Sequence, residues 1–195
     1  MINEIILASK SEVRKKILEN NKIICRVEPS NVDEDSLKES LLKEKATPTT
    51  ISKNLAELKA NKISQKFINE IVIGADSVID LEGEIISKPS NRIEALKILQ
   101  KLNGKTHHLV SSVCISRGGS MIWNYTDKAS LTMKNMSLLE LETYLKKIPD
   151  MVLYAYNVYQ IEGEGRGLFS KIEGDENTIM GLPIKQIKEY LNKLK

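Results

Sequence analysis

Asp76 is the first candidate for chemistry in this chain of 195 residues. It ends the run Ile71-Val72-Ile73-Gly74-Ala75, whose three β-branched residues read as a strand buried on both faces, and Gly74 and Ala75 leave room for a ligand to approach the backbone. In open α/β sheets ligands bind at the carboxyl ends of strands, so a carboxylate there is placed to take a proton; it is equally suited to closing a strand into a turn. Ser9-Lys10-Ser11 with Arg14 forms a second candidate. A helix starting at Ser9 points free N–H groups outward beside two hydroxyls, an end that attracts phosphate, and Arg14, Lys10, Lys15 and Lys16 add positive charge, unless this is only a well-capped helix with a solvated basic face. Lys88 precedes Pro89, which holds it in an extended or turn conformation; an ammonium near an aspartate keeps the acid ionised and grips phosphate oxygens, unless this is only an exposed loop lysine. The cluster Asp33-Glu34-Asp35 either holds a divalent cation through oxygen or caps a helix.

Two further motifs carry less. His107 and His108 are adjacent, so on a strand they face opposite ways and form no joint metal site; His107 lines a site wall at most. Gly163, Gly165 and Gly167 alternate after Glu162 and open backbone N–H groups to an anion, but the strand, loop and helix context of a dinucleotide fingerprint is missing.

The elements that must position these residues follow from periodicity. Ile5 to Ala8 predicts a strand feeding a helix that starts at Ser9, with Ser9 and Glu12 at capping-box spacing and Val13, Ile17 and Leu18 on one face. Ile23 to Val27 predicts a second strand. Ser36 with Glu39 caps a helix to about Lys45, and another runs from about Ile51 to Lys66 on Leu55, Leu58 and Ile63. The central strand continues through Leu81, turns at Glu82-Gly83-Glu84 and returns as a hairpin at Ile85-Ile86. Asn91 caps a helix with the stripe Ile93, Leu96, Leu99 and Leu102, ended by Asn103-Gly104. His107 to Ser116, Met121 to Tyr125 and Ala129 to Met133 predict a meander. Ser137 with Glu140 opens a helix from Leu138 to about Lys147, Tyr154 to Ile161 alternates polar and apolar residues, and Leu168 to Ile172 forms a last strand. Gly181-Leu182-Pro183 introduces a C-terminal helix on Ile184, Ile187, Leu191 and Leu194.

Composition narrows the class. With 41% hydrophobic and 28% charged residues the chain reads as a soluble globular protein of one domain or two intimate lobes. A balance of 29 basic and 26 acidic side chains, net +3, is too small to imply a nucleic-acid polymer or an anionic membrane, and there is neither a basic stripe nor an aromatic platform. Cys25 and Cys114 lack metal spacing and read as reduced core thiols. The opening Met1-Ile2-Asn3-Glu4 has no basic stretch followed by a long apolar segment, and no run approaches the ~18 apolar residues of a membrane span, so a cytoplasmic location is expected.

The order of motifs is more specific than any one of them. Ile6-Leu7-Ala8-Ser9-Lys10-Ser11 with Arg14, Val32-Asp33-Glu34, Glu57-Leu58-Lys59-Ala60, Gly74-Ala75-Asp76-Ser77, Lys88-Pro89, Gly104-Lys105-Thr106-His107, Glu162-Gly163 and Gly181-Leu182-Pro183 together resemble the Maf family of nucleoside triphosphate pyrophosphatases, from residue 5 to about residue 190. The resemblance implies an α/β fold of the Maf and inosine triphosphatase-like type: a curved mixed sheet with flanking helices, in two lobes around a nucleotide cleft. It implies hydrolysis of a nucleoside triphosphate to the monophosphate and pyrophosphate, with Mg²⁺ or Mn²⁺ as cofactor, a house-cleaning role in the nucleotide pool, and a homodimer. Asp76 resembles the family's proton acceptor, Ser9, Arg14, Lys59 and Lys88 its phosphate-handling residues, and Glu34 a carboxylate near the metal, which Asp33 or Asp35 is equally able to supply.

This chain departs from the family at the positions tied to base choice. Members resembling dTTP and UTP hydrolases carry arginine, threonine and glutamine where this chain has Val13, Ser77 and Glu162; those acting on 7-methyl-GTP share the glutamate but carry tryptophan and glutamine at the other two. Glu162, facing a base, accepts from N–H donors such as those of guanine, which weakly favours a purine. The segment Tyr154-Ala155-Tyr156-Asn157-Val158-Tyr159 also departs from the family's pattern. A contrasting expectation is a nucleotide-binding regulator of septum formation with little turnover. An aspartyl-phosphate mechanism wants a second acid two residues after Asp76, where Val78 stands.

Overall fold

The computed structural model describes residues 4–194, apart from the side chains of residues 155 and 156; Met1 to Asn3 of the opening segment lie outside the described residues. In chain order the elements are β1 (Ile5–Leu7), α1 (Glu12–Asn20), β2 (Cys25–Val27), α2 (Glu34–Lys43), α3 (Pro48–Lys66), β3 (Val72–Leu81), β4 (Glu84–Ile86), α4 (Arg92–Leu102), β5 (Thr106–Arg117), β6 (Ser120–Met133), α5 (Leu138–Lys147), α6 (Asp150–Tyr156), a short 3-10 turn at Glu164–Leu168, β7 (Phe169–Glu173), α7 (Glu176–Ile179) and α8 (Ile184–Lys193). The strands form one mixed sheet in the order β2-β1-β3-β5-β6-β7, with β4 paired to β3. β1 runs parallel to both β2 and β3, whereas β4 and β7 are antiparallel to their partners. The fold class is therefore α/β with a mixed sheet and flanking helices, as the sequence implies.

Two compact units divide the chain. The first comprises residues 1–77, 110–128 and 175–195, the second residues 78–109 and 129–174. In the first, alternation along the buried strands sorts the core onto two faces: Ile5, Leu7, Ile73 and Ala75 join Val113, Ile115, Leu182 and Ile187, while Ile6, Ala8 and Val72 join Ile63 of α3. Gly74 sets how close α3 comes. A Cβ at residue 74 would lie 2.3 Å from the Ala56 carbonyl oxygen and 2.6 Å from the Ala60 nitrogen, so the missing side chain admits a helix backbone and not, as expected, a ligand.

In the second unit, α4 and α5 pack together, and Arg92 donates to the carbonyls of Leu145 at 2.6 Å and Ile148 at 2.8 Å, satisfying the orphan acceptors where α5 ends. α5 opens with the full capping box of Ser137 and Glu140 that its sequence predicts.

Several boundaries move for identifiable reasons. α1 is capped by Ser11 and not Ser9, since the Ser11 side chain accepts from the Arg14 nitrogen. α2 starts one turn early because Asp33 takes the cap, accepting from the Ser36 nitrogen and hydroxyl. α3 begins at Pro48, where proline suits the first turn behind the Thr47 cap. α4 buries Ala95, Leu99 and Leu102 and leaves Ile93 outside, and Leu58 and Leu194 also leave their expected stripes. β6 is one strand of 14 residues where two were expected. The alternation over Tyr154 to Ile161 begins in helix α6, which the expected pattern misses, as it misses the four-residue α7.

Candidate active site

Asp76 is the buried acid on which the first unit converges, with only 7% of its surface exposed. It lies two residues beyond Gly74 on β3, hence on the same face of the strand, which α3 covers. One helical turn of α3 past Ala56, Lys59 projects to the carboxylate, and its Nζ donates to Asp76 Oδ1 at 2.8 Å. The same ammonium lies 2.8 Å from Glu34 Oε2, at the start of α2. Lys59 is 6% exposed, so the pair is a desolvated ion pair with a second carboxylate at its rim. Burial nonetheless dominates at Asp76 and raises its proton affinity above the ordinary carboxylate range; Lys59 and then Arg14 oppose that shift, and Glu34 adds to it. Among the described residues, Asp76 Oδ2 receives no hydrogen bond, which leaves it open to a proton from elsewhere.

Arg14 reaches the same region from α1. Nε donates to the Gly181 carbonyl at 2.9 Å, Nη1 to the Ala75 carbonyl at 3.0 Å and to Ser9 Oγ at 3.3 Å, and Nη2 to Ser77 Oγ at 3.1 Å. Four of its five N–H groups are thus spent inside the protein, so toward an anion Arg14 offers mainly charge and one remaining donor. Burial lowers its proton affinity, while Asp76 and Glu34 raise it. Ser9, displaced from its expected role as helix cap, accepts from the Ser11 nitrogen at 3.2 Å as well as from Arg14. Val13 is half-buried against the first unit's core.

The structure therefore brings together Ser9, Arg14, Glu34, Lys59, Asp76 and Ser77 in the first unit. Lys88 and Glu162 belong to the second unit, both exposed, Lys88 in the loop after β4 and Glu162 in the turn before the 3-10 segment. His107 is not a wall residue. It is fully buried in the second unit, with Nε2 2.8 Å from the Tyr159 hydroxyl and Nδ1 without a partner among the described residues.

A set of buried hydroxyls that no sequence motif marks lies beside Asp76. Ser52 on α3 donates to Ser112 Oγ at 2.7 Å and lies 3.3 Å from the Asp76 carbonyl, and Ser77 Oγ lies 2.8 Å from Ser111 Oγ. The signal was present in Val110-Ser111-Ser112-Val113, two polar residues inside an apolar strand run that must find partners once buried.

No three His, Cys, Asp or Glu residues gather as a metal cage among the described residues. Glu34 and Asp76 nevertheless aim oxygens at one point, now spanned by the Lys59 ammonium. Hard oxygen donors from one or two carboxylates suit Mg²⁺, which completes its shell with water and phosphate oxygens. Asp33 is committed to capping α2, whereas Glu34 meets the Lys59 ammonium that Asp76 also holds.

The family model described as Maf-like protein matches residues 4–194. The chain belongs to the Maf-like family. It is 82% identical over its full length, and that of its relative, to a protein of Pelagibacter ubique named nucleoside triphosphate pyrophosphatase. It is also 36% identical, over 100% of this chain and 98% of the relative, to a protein of Brucella abortus named 7-methyl-GTP pyrophosphatase. Among solved structures, this Maf-like protein superposes on the Staphylococcus aureus Ham1 protein with a TM-score of 0.46 and 17% identity, covering 99% and 100% of the two chains.

Proposed function

We propose that this Maf-like protein hydrolyses a nucleoside triphosphate to the monophosphate and pyrophosphate, with Asp76 as the general base. The observation that carries the reading is a single buried carboxylate with one oxygen pinned by Lys59 and a raised proton affinity, beside the guanidinium of Arg14. A base works best when its pKa approaches the operating pH, and burial moves Asp76 in that direction.

In the proposed reaction a water attacks the α-phosphorus and Asp76 Oδ2 takes its proton. The bond from the α-phosphorus to the bridging oxygen breaks, and pyrophosphate leaves with the electron pair. Lys59, Arg14 and Ser9 offset charge on the phosphate chain by position and electrostatics, and Lys88 is a further proposed phosphate-binding residue. Glu34 would hold a Mg²⁺ or Mn²⁺ ion together with phosphate oxygens and water, and the ion when bound would supply Lewis-acid stabilisation of those oxygens. Val13, Ser77 and Glu162 are the proposed base-selecting positions, and the relatives' names make nucleoside triphosphates, 7-methyl-GTP among them, fitting candidates. A regulator that only binds nucleotide has no use for a base held in this way.

The decisive experiment incubates purified protein and Mg²⁺ or Mn²⁺ with a panel of standard and methylated nucleoside triphosphates and identifies the first phosphorus product. Pyrophosphate from at least one of them is expected. Orthophosphate as the first product, or no turnover across the panel, overturns the reading. The proposed homodimer is checked by light scattering on the same preparation. No helix among the described residues is long and apolar enough to cross a membrane.

A further inference from the structure

We propose that Ser111 is a positioning residue of this site, closing a hydrogen-bonded ring that fixes the Arg14 guanidinium. The ring has five members, all in the first unit. Arg14 Nε donates to the Gly181 carbonyl at 2.9 Å, and the Gly181 nitrogen donates to the Thr178 carbonyl at 3.0 Å. Ser111 Oγ donates to that same carbonyl at 2.7 Å and lies 2.8 Å from Ser77 Oγ, which in turn is 3.1 Å from Arg14 Nη2. Ser111 and Thr178 are both fully buried, so water does not substitute for either partner.

Elementary donor and acceptor counting fixes the direction of every proton in this ring. The guanidinium only donates and the carbonyl only accepts. Ser111 has a single proton and spends it on Thr178, so it must accept from Ser77. Ser77 spends its own proton on Ser111, and its oxygen therefore receives the Arg14 Nη2 proton. The Ser77 hydroxyl is left with acceptor capacity alone, and its orientation is set by a residue with no path to solvent. The Thr178 peptide is itself held from two sides: Asp175 Oδ1 accepts from its nitrogen at 3.1 Å and Asp127 Oδ2 from its hydroxyl at 2.7 Å. Gly181 completes the geometry. With φ at +98°, a Cβ there would sit 3.0 Å from Ser77 Oγ and 3.1 Å from Arg14 Nε, inside the ring.

Ser111 thus acts on Arg14 through Ser77, and its kinetic consequence rests on the pyrophosphatase reading, whereas its structural consequence does not. The test has two arms on the full chain. In the first, exchange of the Arg14 side-chain N–H protons with water is followed by ¹⁵N NMR in the wild type, Ser77→Ala and Ser111→Ala, with Arg14→Lys used for assignment. Both alanine variants are expected to speed Nη exchange by about threefold or more, because Ser77→Ala removes the oxygen that accepts the Arg14 Nη2 proton and Ser111→Ala lets the Ser77 hydroxyl that presents this oxygen rotate away. In the second arm, kcat and KM for pyrophosphate release are measured well below each variant's unfolding temperature. Each single variant is expected to lower kcat/KM about tenfold, and the double variant also about tenfold and not about a hundredfold, since the two hydroxyls act in series. Unchanged Arg14 exchange in Ser111→Ala, or single effects that multiply in the double variant, overturns the proposal. Failure of the pyrophosphatase reading shows separately, as absent turnover in the wild type with the exchange arm intact.

Discussion

Each unit buries a polar cluster, and the two solve the problem of buried polarity in opposite ways. In the first unit Asp76, Lys59 and Arg14 are charged side chains, held by one another and by fixed carbonyls and hydroxyls. In the second, His107, Tyr159 and Tyr144 are kept neutral: burial lowers the His107 pKa to about 4 and raises both tyrosines above their ordinary range. The neutral cluster packs as an aromatic group, His107 lying 5.6 Å from the Tyr159 ring and 5.8 Å from that of Phe169. The Tyr144 hydroxyl donates to the Val158 carbonyl. Retaining charge at Asp76 costs desolvation, and that cost makes sense where charge is used on a ligand.

The contrast breaks first at Asp76. Asp76→Asn keeps the shape and the hydrogen bond from Lys59 but removes the base, and is expected to lower kcat for pyrophosphate release about 10³-fold or more. A wild-type rate in that variant erases the difference between the clusters. Stability should respond with the opposite sign. The raised folded pKa means the unfolded chain ionises first as pH climbs from about 4, so this group costs stability at neutral pH. Denaturant unfolding is expected to show the Asn variant gaining on wild type between pH 4 and pH 7.

His107 is the next largest effect, and it falls on stability alone. Its folded pKa is depressed from 6.5 to about 4, so its contribution is complete above about 6.5 and is lost as pH falls toward 4, up to about 3 kcal/mol. Unfolding curves of His107→Gln should be flatter over that range, with pyrophosphate release at neutral pH retained. A large loss of turnover at full stability would join the neutral cluster to the chemistry. Gly181→Ala should destabilise by about 2 kcal/mol, from the strained φ of +98° and the encroachment on Arg14 and Ser77, and should also raise KM; thermal unfolding with steady-state kinetics checks both. The smallest effect is expected at the half-exposed rim. Glu34→Gln should raise the Mg²⁺ concentration for half-maximal rate about tenfold with little change in Tm, read by metal titration.

Much of the architecture was legible because it is local. The β3-β4 hairpin turns at Glu82 and Gly83, which have φ of 55° and 90° as such turns require, and Asn91, Ser137 and Gly181-Leu182-Pro183 punctuate helices where their side chains or ring demand it. Caps were misassigned by two or three residues where several candidates stood in a row, as with Ser9 against Ser11 and Asp33 against Ser36. Asp76 was visible as an acid closing an apolar run. Lys59 was visible only through the family resemblance, because its approach to Asp76 depends on α3 lying directly on Gly74.

By itself the sequence determined most of the strands and helices, the family, and Asp76 as the acid that closes a buried apolar run, since hydrophobic period, capping and motif order are properties of neighbouring residues. Tertiary structure alone decided the environment of that acid. Ser111 is 34 residues from Ser77 and 67 from Thr178, and Arg14 is 167 from Gly181. No periodicity links residues so far apart. Only packing brings their donors and acceptors within 3.1 Å of one another, and burial then makes each of those pairings obligatory.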